Sequence, residues 1–189
     1  PFYAIIETLG VDEAQDAERF SQVLQRALEA ELITDAVLAS SHAQRSQIWA
    51  IREDIEVLVR ELKPMFSYDV SLPIPHMNAY VEELERRLHS QWPDVGRLVV
   101  FGHLGDGNLH IMITVRDDSP DSRRQVEQLV YPPLEAFGGS VSAEHGIGLE
   151  KKPYLSVSRT AEEIALMQRL KVALDPKGLL NPGKVIAFE

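Results

Sequence analysis

Two spacings of apolar residues alternate along the chain, one suited to strands and one to helices. Phe2 to Leu9 is rich in aromatic and β-branched residues and predicts a strand. Asp12 is placed to cap a helix in which Phe20, Val23, Leu24, Ala27, Leu28 and Leu32 recur at helical spacing. Asp35 to Ser40 predicts a short strand. Ala43 to Leu62 predicts a long helix, with Ile48, Ile51, Ile55, Leu58, Val59 and Leu62 as its stripe and Pro64 as its stop. Tyr68 to Pro73 alternates as a strand does. Met77 to Leu88 is amphipathic and ends near Pro93. Ser119 caps a helix that runs towards Phe137 and is interrupted at Pro132-Pro133. Gly138-Gly139 leads into a short strand, Ser140 to Ser142. A last helix, Ala161 to Leu174, precedes Asp175-Pro176-Lys177-Gly178.

The order predicts an α+β fold with helices on one face of a largely antiparallel sheet. Two β-α-β units, Phe2 to Ser40 and Asn108 to Ser142, have the same outline, which suits a duplicated ferredoxin-like arrangement. The other sheet face is then open to hold a ligand. A doubly wound parallel sheet is the competing architecture. No G-x-G-x-x-G follows a strand and there is no phosphate-binding P-loop, so the chain carries no nucleotide-binding loop of its own.

The stretch Phe101-Gly102-His103-Leu104-Gly105-Asp106-Gly107-Asn108-Leu109-His110 is the centre of the pattern. Asp106-Gly107 suits a two-residue type I′ turn. That turn sets Gly105 against Asn108, Leu104 against Leu109 and His103 against His110. One face then reads Leu98, Val100, Leu104, Leu109, Ile111, Ile113 and Val115, an apolar set suited to a core. The other carries His103, Asn108 and His110. Cβ atoms of opposed residues lie roughly 5 Å apart, so the two imidazoles can close on one ion. Two ordinary histidines at a sheet rim would give the same spacing.

Ser140 to Leu149 is the second informative stretch. A strand ends at Ala143, Glu144 and His145 follow at its tip, and Gly146 and Gly148 permit a close turn. A solvated Glu-His loop is the plain alternative. Should Glu144 meet His103 and His110, two imidazoles and a carboxylate form a three-ligand site with open positions, suited to Zn²⁺, Mn²⁺ or Fe²⁺. His145 then stands beside the ion as a base, and Asn108 can orient a bound carboxylate or hydroxyl. Arg52 is a candidate for gripping an anion, with a surface ion pair to Glu56 as its alternative role.

Composition narrows this chemistry. The 189 residues hold no Cys, which excludes disulfides and thiolate ligands and leaves His and carboxylate as metal donors. A net charge of -10 argues against a nucleic-acid surface. No apolar run approaches the roughly 20 residues of a membrane span, and no signal peptide is visible, so the expectation is a cytoplasmic protein. Pro1 runs directly into a strand-like segment, which suggests a piece of a longer chain.

Phe101 to His110, Ser142-Ala-Glu-His-Gly-Ile-Gly148 and Leu174-Asp-Pro-Lys-Gly-Leu-Leu-Asn-Pro-Gly-Lys184, in this order, resemble the C-terminal domain of the FAD-linked oxidases. These belong to the vanillyl-alcohol oxidase superfamily, and the resemblance is nearest the D-2-hydroxyglutarate, D-lactate and glycolate dehydrogenase group. It covers the chain from about Phe2 to the C-terminus. It implies that residues 1–189 form a cap that supplies the substrate pocket, while FAD is bound mainly by an N-terminal domain that this chain lacks. It implies a divalent ion, usually Zn²⁺, on His103, His110 and Glu144. Arg52, Asn108 and His145 are implied to contact substrate, and Asn181 to lie near the flavin.

Two positions depart from the 2-hydroxyglutarate pattern. Ser67 stands where those enzymes carry a Lys, and Glu56 where they usually carry a Thr. The expectation is therefore the wider class: oxidation of a small anionic D-2-hydroxy acid to the 2-oxo acid, with His145 as catalytic base. The electron acceptor is left unknown and a homodimer open. The 189-residue piece alone is expected to lack dehydrogenase activity and to hold little FAD. A flavin-independent metal hydrolase or oxygenase, or a non-catalytic ligand-binding module, is the alternative.

Overall fold

A computed structural model describes residues 3–187 and divides the chain into two compact units, residues 1–58 and 59–189. The division falls within a helix, α3 (Ile55–Glu61), so each unit is taken separately.

In the first unit, α1 (Glu13–Glu29) starts at Asp12, whose side chain accepts the Gln15 N–H at 3.0 Å. α2 (His42–Glu53) starts at Ser41, which accepts the Gln44 N–H in the same way. Both caps satisfy amides that the first helical turn leaves without partners. The helix expected over Ala43 to Leu62 is divided at Asp54 into α2 and α3. The strands expected at Phe2 to Leu9 and Asp35 to Ser40 are absent among the described residues: 3–9 and 35–40 are irregular, and Phe2 lies outside them. An extended segment becomes a strand only when its N–H and C=O groups find a neighbouring ladder, and no described residue pairs with these segments. No described residue of this unit is buried, so Arg52 lies on a helix that buries nothing.

The second unit is built on a three-stranded antiparallel sheet in the order β1-β3-β2, with β1 at Met65–Ser71, β2 at Arg97–His103 and β3 at Asn108–Thr114. Ser140 adds a single antiparallel bridge to Ser71, which is all that forms of the short strand expected at Ser140 to Ser142. α4 (Ile74–Gln91) buries Met77, Tyr80, Leu84 and Leu88, one per helical turn. α5 (Pro120–Val130), capped by Ser119, buries Val126, Leu129 and Val130. After the two prolines a single turn, α6 (Leu134–Phe137), follows. α7 (Leu155–Ser158) and α8 (Ala161–Leu174) complete the unit. The helices meet the sheet face formed by Phe66, Tyr68, Val70, Leu109, Ile111 and Ile113. Full burial of one such side chain is worth about 1.5–3 kcal/mol, and this face is the core. Alternation sends Asp69, Phe101, His103, Asn108 and His110 to the opposite face.

The hairpin differs from expectation at its turn. Leu104–Asp106 forms a 3₁₀ turn and Gly107 takes a left-handed conformation at φ 74°. His103 therefore lies opposite Asn108, and Phe101 opposite His110. Two local contacts explain the longer loop. Asp106 Oδ1 accepts the Asn108 N–H at 3.2 Å, an Asx-type closure that replaces the strand-to-strand bond. Gly107 C=O also accepts the Leu72 N–H at 2.9 Å, which docks the loop on the end of β1. A Cβ on Gly107 would lie 2.1 Å from the Leu72 carbonyl oxygen. The pairing is displaced by two residues, an even number, so both imidazoles keep their common face. Leu104 leaves the core set and is 65% exposed.

Candidate functional site

The face opposite the core brings His103, His110, Glu144 and His145 together. The His103 and His110 rings meet edge to face with centroids 5.5 Å apart. Glu144 Oε1 stands 3.8 Å from His103 Nε2. His145 stacks on His110 with centroids 5.9 Å apart. The Phe101 ring, tilted by 45°, lies 5.3 Å from His110. Asn108 is buried in β3 on this face, and neither its Oδ1 nor its Nδ2 has a hydrogen-bond partner. A buried amide without partners loses the stabilisation that water gave it, which marks the position as one that a polar ligand can complete.

Sequence reasoning passed over the group that holds this site together. Asp69, in the middle of β1 and opposite His110, is 1% exposed. Its Oδ2 accepts the N–H groups of Ala143, Glu144 and His145 at 3.0, 3.0 and 3.1 Å. Lys151, also buried, reaches the same oxygen with Nζ at 3.3 Å and donates to Asp69 C=O and to Ser142 Oγ, each at 2.9 Å. Burial alone would push the Asp69 carboxyl up. The His145 and Glu144 amides and the Lys151 ammonium outweigh it and hold the group down at about 2. Burial pulls the Lys151 ammonium down, and Asp69 opposes that shift. An Asp inside a strand pattern is unusual and was the available signal for Asp69. Lys151, in Glu150-Lys151-Lys152, reads as a solvated loop and gave none.

Two overlapping sets of side chains each present three ligand atoms within 4.8 Å of one another: His103, His110 and Glu144, and Asp69, His110 and His145. Nitrogen and carboxylate oxygen donors of this kind suit a borderline divalent ion. Ligand atoms about 2.0–2.2 Å from one ion lie at most roughly 4.4 Å apart, so either set closes by a small side-chain movement. His103 and Glu144, at 43% and 47% side-chain exposure, have room for it. Of the other expected site residues, Arg52 is exposed on α2 in the first unit. Asn181 is exposed in the second, at φ 49°, and accepts a hydrogen bond from Lys184 Nζ at 3.2 Å. The Glu56 side chain lies outside the described residues.

The family described as FAD linked oxidases, C-terminal domain, matches residues 1–185. The chain belongs to this family. Among curated relatives of this FAD-linked oxidase domain, a D-2-hydroxyglutarate dehydrogenase of Xanthomonas citri pv. viticola is 43% identical over 190 residues, covering 98% of the chain and 40% of the relative. The mitochondrial D-2-hydroxyglutarate dehydrogenase of Bos taurus is 40% identical over 186 residues, covering 98% of the chain and 34% of the relative. A putative mitochondrial D-lactate dehydrogenase of Schizosaccharomyces pombe is 38% identical over 194 residues, covering 98% and 37%. The FAD-linked oxidase domain thus spans well under half the length of these relatives. No helix among its described residues is long and apolar enough to cross a membrane.

Proposed function

We propose that this domain supplies the substrate site of a flavin-dependent D-2-hydroxy acid dehydrogenase that converts a D-2-hydroxy acid of the D-lactate, glycolate or D-2-hydroxyglutarate type to the 2-oxo acid. The observation that carries the reading is the convergence of His103, His110, Glu144 and His145 beside the buried, unpartnered amide of Asn108. The family membership and the names of the relatives support the class of reaction.

His103, His110 and Glu144 would hold a divalent ion, with zinc as the first choice for this donor set. When bound, such an ion would supply charge stabilisation for the substrate hydroxyl and carboxylate, and a flavin held by the N-terminal domain would supply the hydride acceptor. Asn108 orients the substrate by donating from Nδ2 to a carboxylate or hydroxyl oxygen. His145, exposed at the loop tip, removes the hydroxyl proton. Asp69 and Lys151 keep the loop backbone in place throughout. The resemblance implies that Arg52 contacts substrate and that Asn181 lies near the flavin. Ser67 lies on the site face of β1, two residues before Asp69, and is neutral. A second substrate carboxylate gains no cation from it, which supports the wider acid class over a diacid alone.

The test is His145→Ala in the intact protein, assayed against a panel of D-2-hydroxy acids. Turnover falls by about 10²–10⁴-fold while the melting temperature stays within a few degrees. Unchanged turnover removes His145 as the base. A colourless intact protein that still turns over substrate removes the flavin reading. The 189-residue chain alone is expected to retain little FAD; stoichiometric retention contradicts the division of labour between domains.

A further inference from the structure

Asp69 has two oxygens in opposite circumstances. Oδ2 accepts three backbone N–H groups and is reached by Lys151 Nζ and Ser142 Oγ, each at 3.3 Å. Oδ1 is equally buried and accepts nothing. It faces His110 Nδ1 at 3.8 Å. Stability alone gives little reason to bury an ion pair here, because well-packed apolar replacements of such pairs are often neutral or stabilising. The unpartnered oxygen points instead to the imidazole. An N–H···O bond spans about 2.9 Å, so a movement of about 1 Å by the His110 ring completes it. His145 stacks on that ring and Phe101, opposite it on β2, lies 5.3 Å away, so both limit its movement.

We propose that Asp69 is the positioning residue of this site, acting on both halves at once. Oδ2 fixes the backbone that carries Glu144 and His145. Oδ1 already biases the His110 proton to Nδ1 across 3.8 Å and accepts it in a full hydrogen bond when the site closes on its ligand, which leaves Nε2 as the electron-pair donor of that ring. A carboxylate that orients an imidazole in this way sets both its tautomer and its angle of approach. Lys151 Nζ bridges Asp69 Oδ2, the Asp69 C=O and Ser142 Oγ, which adds a cation on the Oδ2 side alone. The inference rests on reading the site as a hydroxy acid centre that takes a divalent ion.

The test uses the intact protein labelled with ¹⁵N-histidine, with His110 assigned from a His110→Gln variant. Long-range ¹H–¹⁵N spectra of the metal-free protein report which ring nitrogen carries the proton. The expected result is the Nδ1–H tautomer for wild-type His110, and a shift of population towards Nε2–H in Asp69→Asn. Zinc titrated into the metal-free proteins binds about 10–100-fold more weakly to Asp69→Asn. A wild-type His110 protonated at Nε2, or an unchanged tautomer in the variant, overturns the proposal. Wild-type protein that takes up no zinc removes the metal reading, while the ring tautomer still decides the role of Asp69. Should Asp69→Asn fail to fold, the tautomer of wild-type His110 upholds or overturns the proposal by itself.

Discussion

The two units of this chain use similar sequence patterns with opposite results. Residues 3–9 and 35–40 in the first unit, and Tyr68 to Pro73 in the second, all read as strands. Only the last becomes one, because β3 supplies a ladder and the helix face supplies burial. The amphipathic helices of both units form regardless, since each makes its own hydrogen bonds. In the second unit they cover Ile111 and Val70 completely; in the first, Val23 and Ile51 are 58% and 81% exposed. Local pattern is enough for a helix, whereas a strand is defined by its neighbour.

The largest effect that tests this contrast comes from charge. Asp69→Ala leaves Lys151 buried without a counter-charge and three amides without an acceptor, and should destabilise the 189-residue chain by about 3–5 kcal/mol in denaturant unfolding. Arg45→Ala, which removes the exposed Arg45–Glu7 pair of the first unit, should leave the midpoint in place. Equal losses would break the contrast. Next comes packing. Ile111→Ala should cost about 2–5 kcal/mol, and Val23→Ala less than about 0.5 kcal/mol; a large loss at Val23 would reveal burial in the first unit. Gly107→Ala combines a positive φ with a clash on Leu72 and should cost about 1–3 kcal/mol by the same measurement.

A further effect appears with acid. The Asp69 carboxyl is held at about 2 against an ordinary value of 3.8. A depressed acid stabilises the fold above its ordinary value, and that stability is lost as the pH falls through the folded one. Unfolding free energy should therefore decline from about pH 4 towards pH 2. Asp69→Asn, compared with wild type over that window, should show a flatter slope. An identical slope would mean that Asp69 has no part in acid unfolding.

The sequence made the two-faced hairpin legible, because alternation survives any even displacement of register. It did not reveal the turn itself, since Asp106 satisfies the Asn108 amide from its side chain and Gly107 answers to Leu72, a residue far off in the chain. The meeting of Glu144 with His103 was readable as chemistry and not as geometry, as it depends on where one loop is anchored. That anchor, Asp69 with Lys151, crosses 82 positions of sequence. Neither residue type at its own position names the other as partner. The first-unit strands were misread for the same reason: the pattern shows what a segment can do, and the neighbour decides whether it does.

Three successive amides gathered on one oxygen leave the loop over 143–145 no gradual way to fray. Withdrawing the common acceptor releases all three together. The glutamate and the histidine thus hang from a single peg, and whatever moves that carboxylate moves both.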